Sequence, residues 1–310
     1  MTGEQEHGMD AAHRLDKRRV RASFERAASS YESVAVLQRE VGQRLLERLE
    51  LVRITPQRVL DVGAGTGELG LRLAKRYPEA HTVLLDLAPA MLRQARTRGS
   101  RLDRWRWHWN RRRSLVCGDA ERLPLATASV DLIVSSLMLQ WCNDLESALH
   151  EFRRVLRPGG LLMFTSFGPD TLRELRTAWR SVDAHVHVNA FIDMHDVGDA
   201  LLRAGFADPV MDREDLVLTY RDARTLMHEL KTLGAHNVTG GRPRGLTGRG
   251  RLAGMLAAYE KFRCDDRLPA TYEVIHGHCW APLREGQARD AATGDIKVPL
   301  TTLTRPETGR

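Results

Sequence analysis

The chain has 310 residues, with 47 Lys and Arg against 40 Asp and Glu for a net charge of +7, and 42% of it is hydrophobic. That is enough apolar material for one large core with an appended lid, and no uninterrupted apolar run reaches the roughly 18 residues of a helical membrane span. The positive balance favours acidic partners without naming one, and four cysteines without C-x-x-C spacing suggest neither a disulfide framework nor a zinc knuckle.

Residues 1–19 are polar, with His7, His13, Lys17, Arg18 and Arg19, and lack the apolar stretch of a secretion signal, so a cytoplasmic location is expected. Apolar residues then recur at helical spacing over residues 18–51, placing Val20, Phe24, Ala27 and Ala28 on one side and predicting N-terminal helices. Val59-Leu60-Asp61-Val62 is a short strand-like run that passes into glycines at 63, 65 and 67. Glycines at that spacing let the backbone bend sharply and approach a nucleotide, while the following helix presents free amides. Val83-Leu84-Leu85-Asp86 is a second apolar run ending in an acid. Asp86 falls about 20 residues past the glycines, where a carboxylate meets ribose hydroxyls in doubly wound sheets, and it would equally cap the helix that starts near Pro89.

A third strand leads to Cys117-Gly118-Asp119-Ala120, and residues 130–136 read as a buried fourth. Before the third strand, residues 101–113 interleave three tryptophans with basic residues, a pattern suited to stacking bases or, as the favoured reading, to packing on the sheet. Further on, residues 171–181 and 191–204 read as helices, 208–218 as strand, and 222–262 as two helices separated by a Gly-Pro loop at 240–245. Residues from about 284 to 310 are polar and aperiodic, as in a disordered tail. His185-Val186-His187 and His276-Gly277-His278 alternate like a chelating pair, but no acidic cluster completes a shell, so no metal is expected.

The motifs DVGAGTG, LLDLAPAML, GDAERLPL, SVDLIVSS and RVLRPGGLLMFTSFG, in this order over about residues 35–170, resemble class I S-adenosylmethionine-dependent methyltransferases. The resemblance implies an α/β fold: a Rossmann-like doubly wound seven-stranded sheet with one antiparallel edge hairpin, N-terminal helices and a C-terminal helical lid. It divides the chain into a tail and covering helices (1–50), a core that binds S-adenosyl-L-methionine (51–170), a substrate lid with the remaining strands (171–283) and a tail (284–310). It further implies that Gly63, Gly65 and Gly67 line the methionine and ribose, and that Asp86 accepts from the ribose hydroxyls. Asp119 and Ala120 would face the adenine edge, Leu87 and Met91 would sandwich the ring, and Ser135 joins this cofactor-binding set. Asp61 either meets the cofactor's ammonium through water or caps the glycine turn.

The flanking segments VRASFERAASSY, LQWC, FGPDTLREL, LKTLGAHN and YEVIHGH extend the likeness to about residues 18–280 and closely resemble the malonyl-acyl carrier protein O-methyltransferases of biotin synthesis. That similarity implies methylation of the free carboxylate of a malonyl thioester on acyl carrier protein, an early step toward a pimeloyl chain. Tyr31 would position the reacting group, with Gln140, Trp141, Arg173, Lys231 and His236 as substrate-binding candidates. Arg242 and Arg244 would attract the acidic carrier, and neither a membrane nor a nucleic acid is an expected partner. Two rivals follow: a hydroxylase resembling the complex I assembly factor of mitochondria, and a noncatalytic nucleic-acid-binding protein using residues 101–113.

Overall fold

Strands covered on both faces read as near-continuous apolar runs, and the parallel strands of this chain have that character. The computed structural model describes residues 14–98, 112–235 and 248–283. It contains seven strands: β1 (Arg58–Val62), β2 (His81–Asp86), β3 (Arg113–Cys117), β4 (Val130–Ser136), β5 (Leu156–Phe167), β6 (Ala207–Tyr220) and β7 (Leu268–Trp280). They form one sheet in the order β3-β2-β1-β4-β5-β7-β6, parallel except that β7 runs antiparallel to both β5 and β6. The expected seven-stranded, doubly wound sheet is present, although its antiparallel edge pair is joined through helices rather than through a tight turn.

The helices among the described residues are α1 (Lys17–Ala27), α2 (Tyr31–Val34), α3 (Val36–Glu50), α4 (Glu68–Arg76), α5 (Pro89–Thr97), α6 (Leu145–Val155), α7 (Arg173–Arg180), α8 (Met194–Arg203), α9 (Ala223–Thr232) and α10 (Arg249–Tyr259). Local chemistry sets their starts. Asp16, Asp144, Asp193 and Asp222 each accept an amide from the first turn of α1, α6, α8 and α9, and Pro89 opens α5. Gly205, at φ +82°, ends the α8 segment in the left-handed conformation glycine tolerates.

Alternation along β1 divides the core. Leu60 and Val62 join Phe152, Leu162 and Leu201 on one face, whereas Val59 joins Leu45, Leu49 and Leu73 on the other. Burial at about 25 cal/mol per Å² makes these two layers the main source of stability. The chain leaves β1 toward β2 and β3, then returns to β4 on the opposite side of β1. Ligands bind at such a reversal, beyond the carboxyl ends of the strands.

The antiparallel pair overhangs the rest. β1 has 5 residues while β6 has 14 and β7 has 13, a difference of ~25 Å at ~3.3 Å per residue. Only Val274–Trp280 of β7 pairs with β5, and the outer residues 268–273 pair with β6 alone. That overhang carries its own apolar cluster, in which Tyr220, Leu226, Met255, Tyr259, Leu268 and Tyr272 meet beneath α9 and α10.

All four cysteines are free. Cys142 and Cys279 are buried, whereas Cys117 and Cys264 are exposed. Among the described residues no helix is long and apolar enough to cross a membrane.

Candidate active site

The site begins where β1 ends. Parallel register sets Val62 against Leu85, and the amides of Gly63 and Ala64 both donate to the Leu85 carbonyl at 2.8 and 3.0 Å. Gly63 and Gly67 hold φ of +75° and +80°, and each is also pressed by a neighbour: a Cβ would stand 2.3 Å from Met138 Cγ at Gly63 and 2.7 Å from Ala95 Cβ at Gly67. A Cβ at Gly65 would meet open space. Gly65 is thus the residue whose bare backbone faces the cavity.

Asp86, at the tip of β2, accepts the Gly65 amide on Oδ2 and the Ala88 amide on Oδ1, both at 2.8 Å. It therefore shapes the lead into α5 and braces the glycine turn together, with lone pairs left for hydroxyl donors. Burial pushes its carboxyl up to about 6 despite these two amides. Asp61 is more enclosed, at 1% exposure, and burial followed by the charge of Asp86 pushes it up to about 7, opposed by the Gly70 amide of α4. Its Oδ2 is buried without a partner among the described residues. Asp61 thus meets one amide of α4 and keeps one buried oxygen without a partner among the described residues.

These residues line a cavity of about 1350 Å³, its open mouth included. At one end, Lys17 Nζ lies 2.9 Å from both Asp119 Oδ1 and Glu121 Oε1, bringing the first residue of α1 across the loop after β3. Leu15 reinforces the closure: its amide donates to Asn143 Oδ1 at 2.8 Å, and Asn143 Nδ2 donates back to its carbonyl at 3.0 Å. Leu87, Met91, Ala120 and Trp141 complete this end, with Trp141 edge-on to Phe24 at 5.0 Å.

Tyr31 and Glu32 reach the middle from α2. Thr66 Oγ1 donates to Glu32 Oε1, and Arg98 binds Glu32 Oε1 at 2.7 Å and Glu68 Oε2 at 2.6 Å. This network ties α2 to the glycine turn and to both flanking helices. Burial, then the charges of Asp86 and Glu32, raise the Tyr31 phenol above its usual range, so it stays protonated.

The opposite end lies beyond β4 and β5. Leu137 takes the left-handed conformation at φ +50°, its amide held by the Thr165 carbonyl and Thr165 Oγ1, both at 3.0 Å. The turn directs Ser136 and Gln140 to the cavity, and Phe167, Leu233 and Ala235 close the wall.

Residues 60–164 match the methyltransferase domain family. A malonyl-acyl carrier protein O-methyltransferase of Laribacter hongkongensis is 56% identical over 274 residues, 88% of this chain and 92% of that one. A protein of the same description from Methylovorus sp. is 54% identical over 271 residues, 87% and 91% of the two chains. The chain belongs to the malonyl-acyl carrier protein O-methyltransferase family. In solved structures, phosphoethanolamine N-methyltransferase 2 of Haemonchus contortus, in complex with S-adenosyl-L-methionine, shares the fold with a TM-score of 0.50 at 17% identity, over 83% of this chain and 57% of that one.

In this malonyl-acyl carrier protein O-methyltransferase family member, the structure gathers most of the sequence-derived candidates around one cavity: Tyr31, Asp61, Gly63, Gly65, Asp86, Leu87, Met91, Asp119, Ala120, Gln140 and Trp141. Gly67 stands just behind the turn, against Ala95. Three candidates are placed elsewhere. Ser135 is wholly buried within β4 and donates to the Val62 carbonyl at 3.1 Å, so the cavity-facing serine is its neighbour Ser136. Arg173 is exposed on α7 beside Glu174, and Lys231 is exposed on α9, neither lining the cavity. His236, Arg242, Arg244, the tryptophan-rich residues 101–111 and the tail at 284–310 lie outside the described residues.

Lys17, Gln38, Arg39, Arg72 and Phe167 line the cavity without having been singled out. For Lys17 the signal was present: it shares a helical face with Val20 and Phe24. Of the paired histidines, His187 stacks on Trp179 and bonds Asp183, and His276 bonds Glu214. No metal-binding cluster of His, Cys, Asp and Glu occurs among the described residues.

Proposed function

We propose that this enzyme methylates the free carboxylate of a malonyl group carried as a thioester on acyl carrier protein, an early step toward the pimeloyl chain of biotin. One observation carries the reading in a chain of this family. A single cavity runs from the Gly65–Asp86 pair to Gln140 and Phe167, large enough to hold a donor and an acceptor end to end.

The donor end fits S-adenosyl-L-methionine. The bare backbone of Gly65 admits close approach, and Asp86 retains lone pairs for ribose hydroxyls. The unpaired Asp61 Oδ2 suits an ammonium, directly or through water, and Asp119 Oδ2 suits the exocyclic amine of adenine. When bound, the cofactor supplies an electrophilic methyl group on a positively charged sulfur.

The acceptor requires little from acid or base catalysis, because a carboxylate is already ionised near pH 7. What the chain contributes is alignment and removal of water, since hydration shields a carboxylate. Phe167, Leu233 and Leu137 supply apolar walls. Tyr31 keeps its proton and so serves as a hydrogen-bond donor, and Gln140, whose Nε2 donates to the Leu137 carbonyl at 2.7 Å, stands at the far wall. The cavity's cations are engaged: Lys17 by Asp119 and Glu121, Arg72 by Glu68, and Arg39 by the Glu32 carbonyl at 2.8 Å.

Incubation of the purified protein with methyl-labelled S-adenosyl-L-methionine and malonyl, succinyl or acetyl carrier protein tests the reading. Label that enters the malonyl species alone and is released by mild base supports it. Binding of the cofactor without any ester formation rules it out.

A further inference from the structure

Two neighbouring rows of side chains on and just beyond α1 touch the two ends of the main cavity. Val20, Phe24 and Ala28, spaced by four, form the first. Val20 is 2% exposed in a cluster with Leu87 and Trp141, and Ala28 packs with Ala88 and Met91. Val20 and Phe24 also line the cavity itself, so a nucleoside lying on Leu87 and Met91 gives this row more apolar surface to bury.

Ser23 and Ala27 form the second row. Ser23 Oγ donates to the Gly234 carbonyl at 3.1 Å, a buried bond between residues 211 positions apart in the chain. Gly234 holds φ of +76°, and a Cβ there would stand 3.1 Å from Ala27 Cβ and 3.2 Å from the Ser23 carbonyl oxygen, so the helix and the end of the α9 segment meet at contact distance. Among the described residues that line the cavity, Ser23 and Gly234 are absent, but Leu233 and Ala235, the chain neighbours of Gly234, are present and close the acceptor end.

We propose that α1 couples the two ends of the cavity: bound S-adenosyl-L-methionine seats the helix, and the seated helix, through the Ser23–Gly234 contact, fixes the wall at Leu233 and Ala235 against which the acceptor is held. The proposal rests on the malonyl reading for the identity of the acceptor and adds that the two ligands bind cooperatively. A helix that both ligands prefer seated makes each bind better in the presence of the other, by the same factor. Ser23 and Gly234 are then positioning residues, acting through α1 and through the neighbours of Gly234 rather than on either ligand.

S-adenosyl-L-homocysteine, which has no methyl group to transfer, lets the coupling be read at equilibrium. Calorimetric titration of the parent with malonyl carrier protein should give an affinity about tenfold higher with saturating S-adenosyl-L-homocysteine than without it. Ser23→Ala removes one hydrogen bond and should lower that ratio to about twofold. Gly234→Ala forces the two backbones apart and should bring it to about one, and Ser23→Ala, which keeps the backbone contact, carries the test if Gly234→Ala does not fold. A fold that is merely weakened lowers the affinity in both titrations and leaves the ratio at its parent value, which overturns the proposal. A parent whose affinity for malonyl carrier protein ignores S-adenosyl-L-homocysteine overturns it as well. If the parent binds S-adenosyl-L-homocysteine but malonyl carrier protein in neither titration, it is the malonyl reading that fails.

Discussion

The Gly65 amide donates to Asp86 Oδ2 at 2.8 Å, joining the tip of one parallel strand to the tip of its neighbour. The same carboxylate sits beside Asp61, and burial raises both, to about 6 and about 7 from an ordinary 3.8. A carboxyl raised by folding holds more protons in the native chain than in the unfolded one. Stability of the cofactor-free protein from these two groups is therefore full below about pH 4 and declines as pH climbs toward 7. Ribose hydroxyls and an ammonium favour the ionised forms, so cofactor affinity should rise from pH 5 to pH 8 with release of protons. Calorimetry in two buffers of different ionisation enthalpy measures that release, and Asp61→Asn should diminish it. Affinity independent of pH in this range would contradict the assignment.

Gly65→Ala and Gly67→Ala should fail differently. At Gly67 a Cβ meets Ala95 at 2.7 Å with φ at +80°, so the cost falls on the fold, on the order of 1–3 kcal/mol. At Gly65 the added methyl enters open space, and the principal loss should be cofactor affinity, beyond any strain from its positive φ. Thermal melts and equilibrium binding on the two variants separate these outcomes.

The two adjacent serines give a similar contrast. Ser135→Ala removes a buried bond to the Val62 carbonyl and should cost about 1 kcal/mol of stability with little change in KM. Ser136→Ala should spare the melting temperature and alter turnover, because its hydroxyl lies on the cavity wall.

Lys17→Met should weaken cofactor binding more than it lowers stability. The side chains of Lys17 and Asp119 retain 24% and 33% exposure, and pairs so placed contribute at most about 1 kcal/mol to folding. The KM for cofactor should rise while kcat remains near the parent value. A fall in kcat alone would show that the lysine acts at the acceptor.

Tyr31→Phe removes the donor but not the ring, so the fold should persist while kcat drops about tenfold, the worth of one well-placed hydrogen bond. Because its phenol is raised well above the usual range, no titration of Tyr31 should appear in the pH–rate profile below pH 10.

Much of the donor end was legible in the sequence, since Gly63, Gly65, Asp86 and Asp119 sit at strand ends where backbone geometry alone fixes the direction of approach. Ser135 shows where that logic stops. β4 is covered on both faces and buried from Leu132 through Ser135, and the left-handed turn at Leu137 that brings Ser136 and Gln140 to the cavity has no glycine to announce it. Arg173 and Lys231 are cations within the flanking motifs, but a motif carries no information about helix phase, and both helices turn them to solvent. Lys17 escaped for the opposite reason: charge near a polar terminus reads as a solvated face, while its partners Asp119 and Glu121 are more than a hundred residues away.

The outer half of β7 is a cantilever. Residues 268–273 of β7 continue, without a break in the chain, from the segment bonded to β5, and they share one apolar cluster with α7, α9 and α10. A displacement of the outer half of β7 is thus a bending of the strand itself, shared by the helices of that cluster.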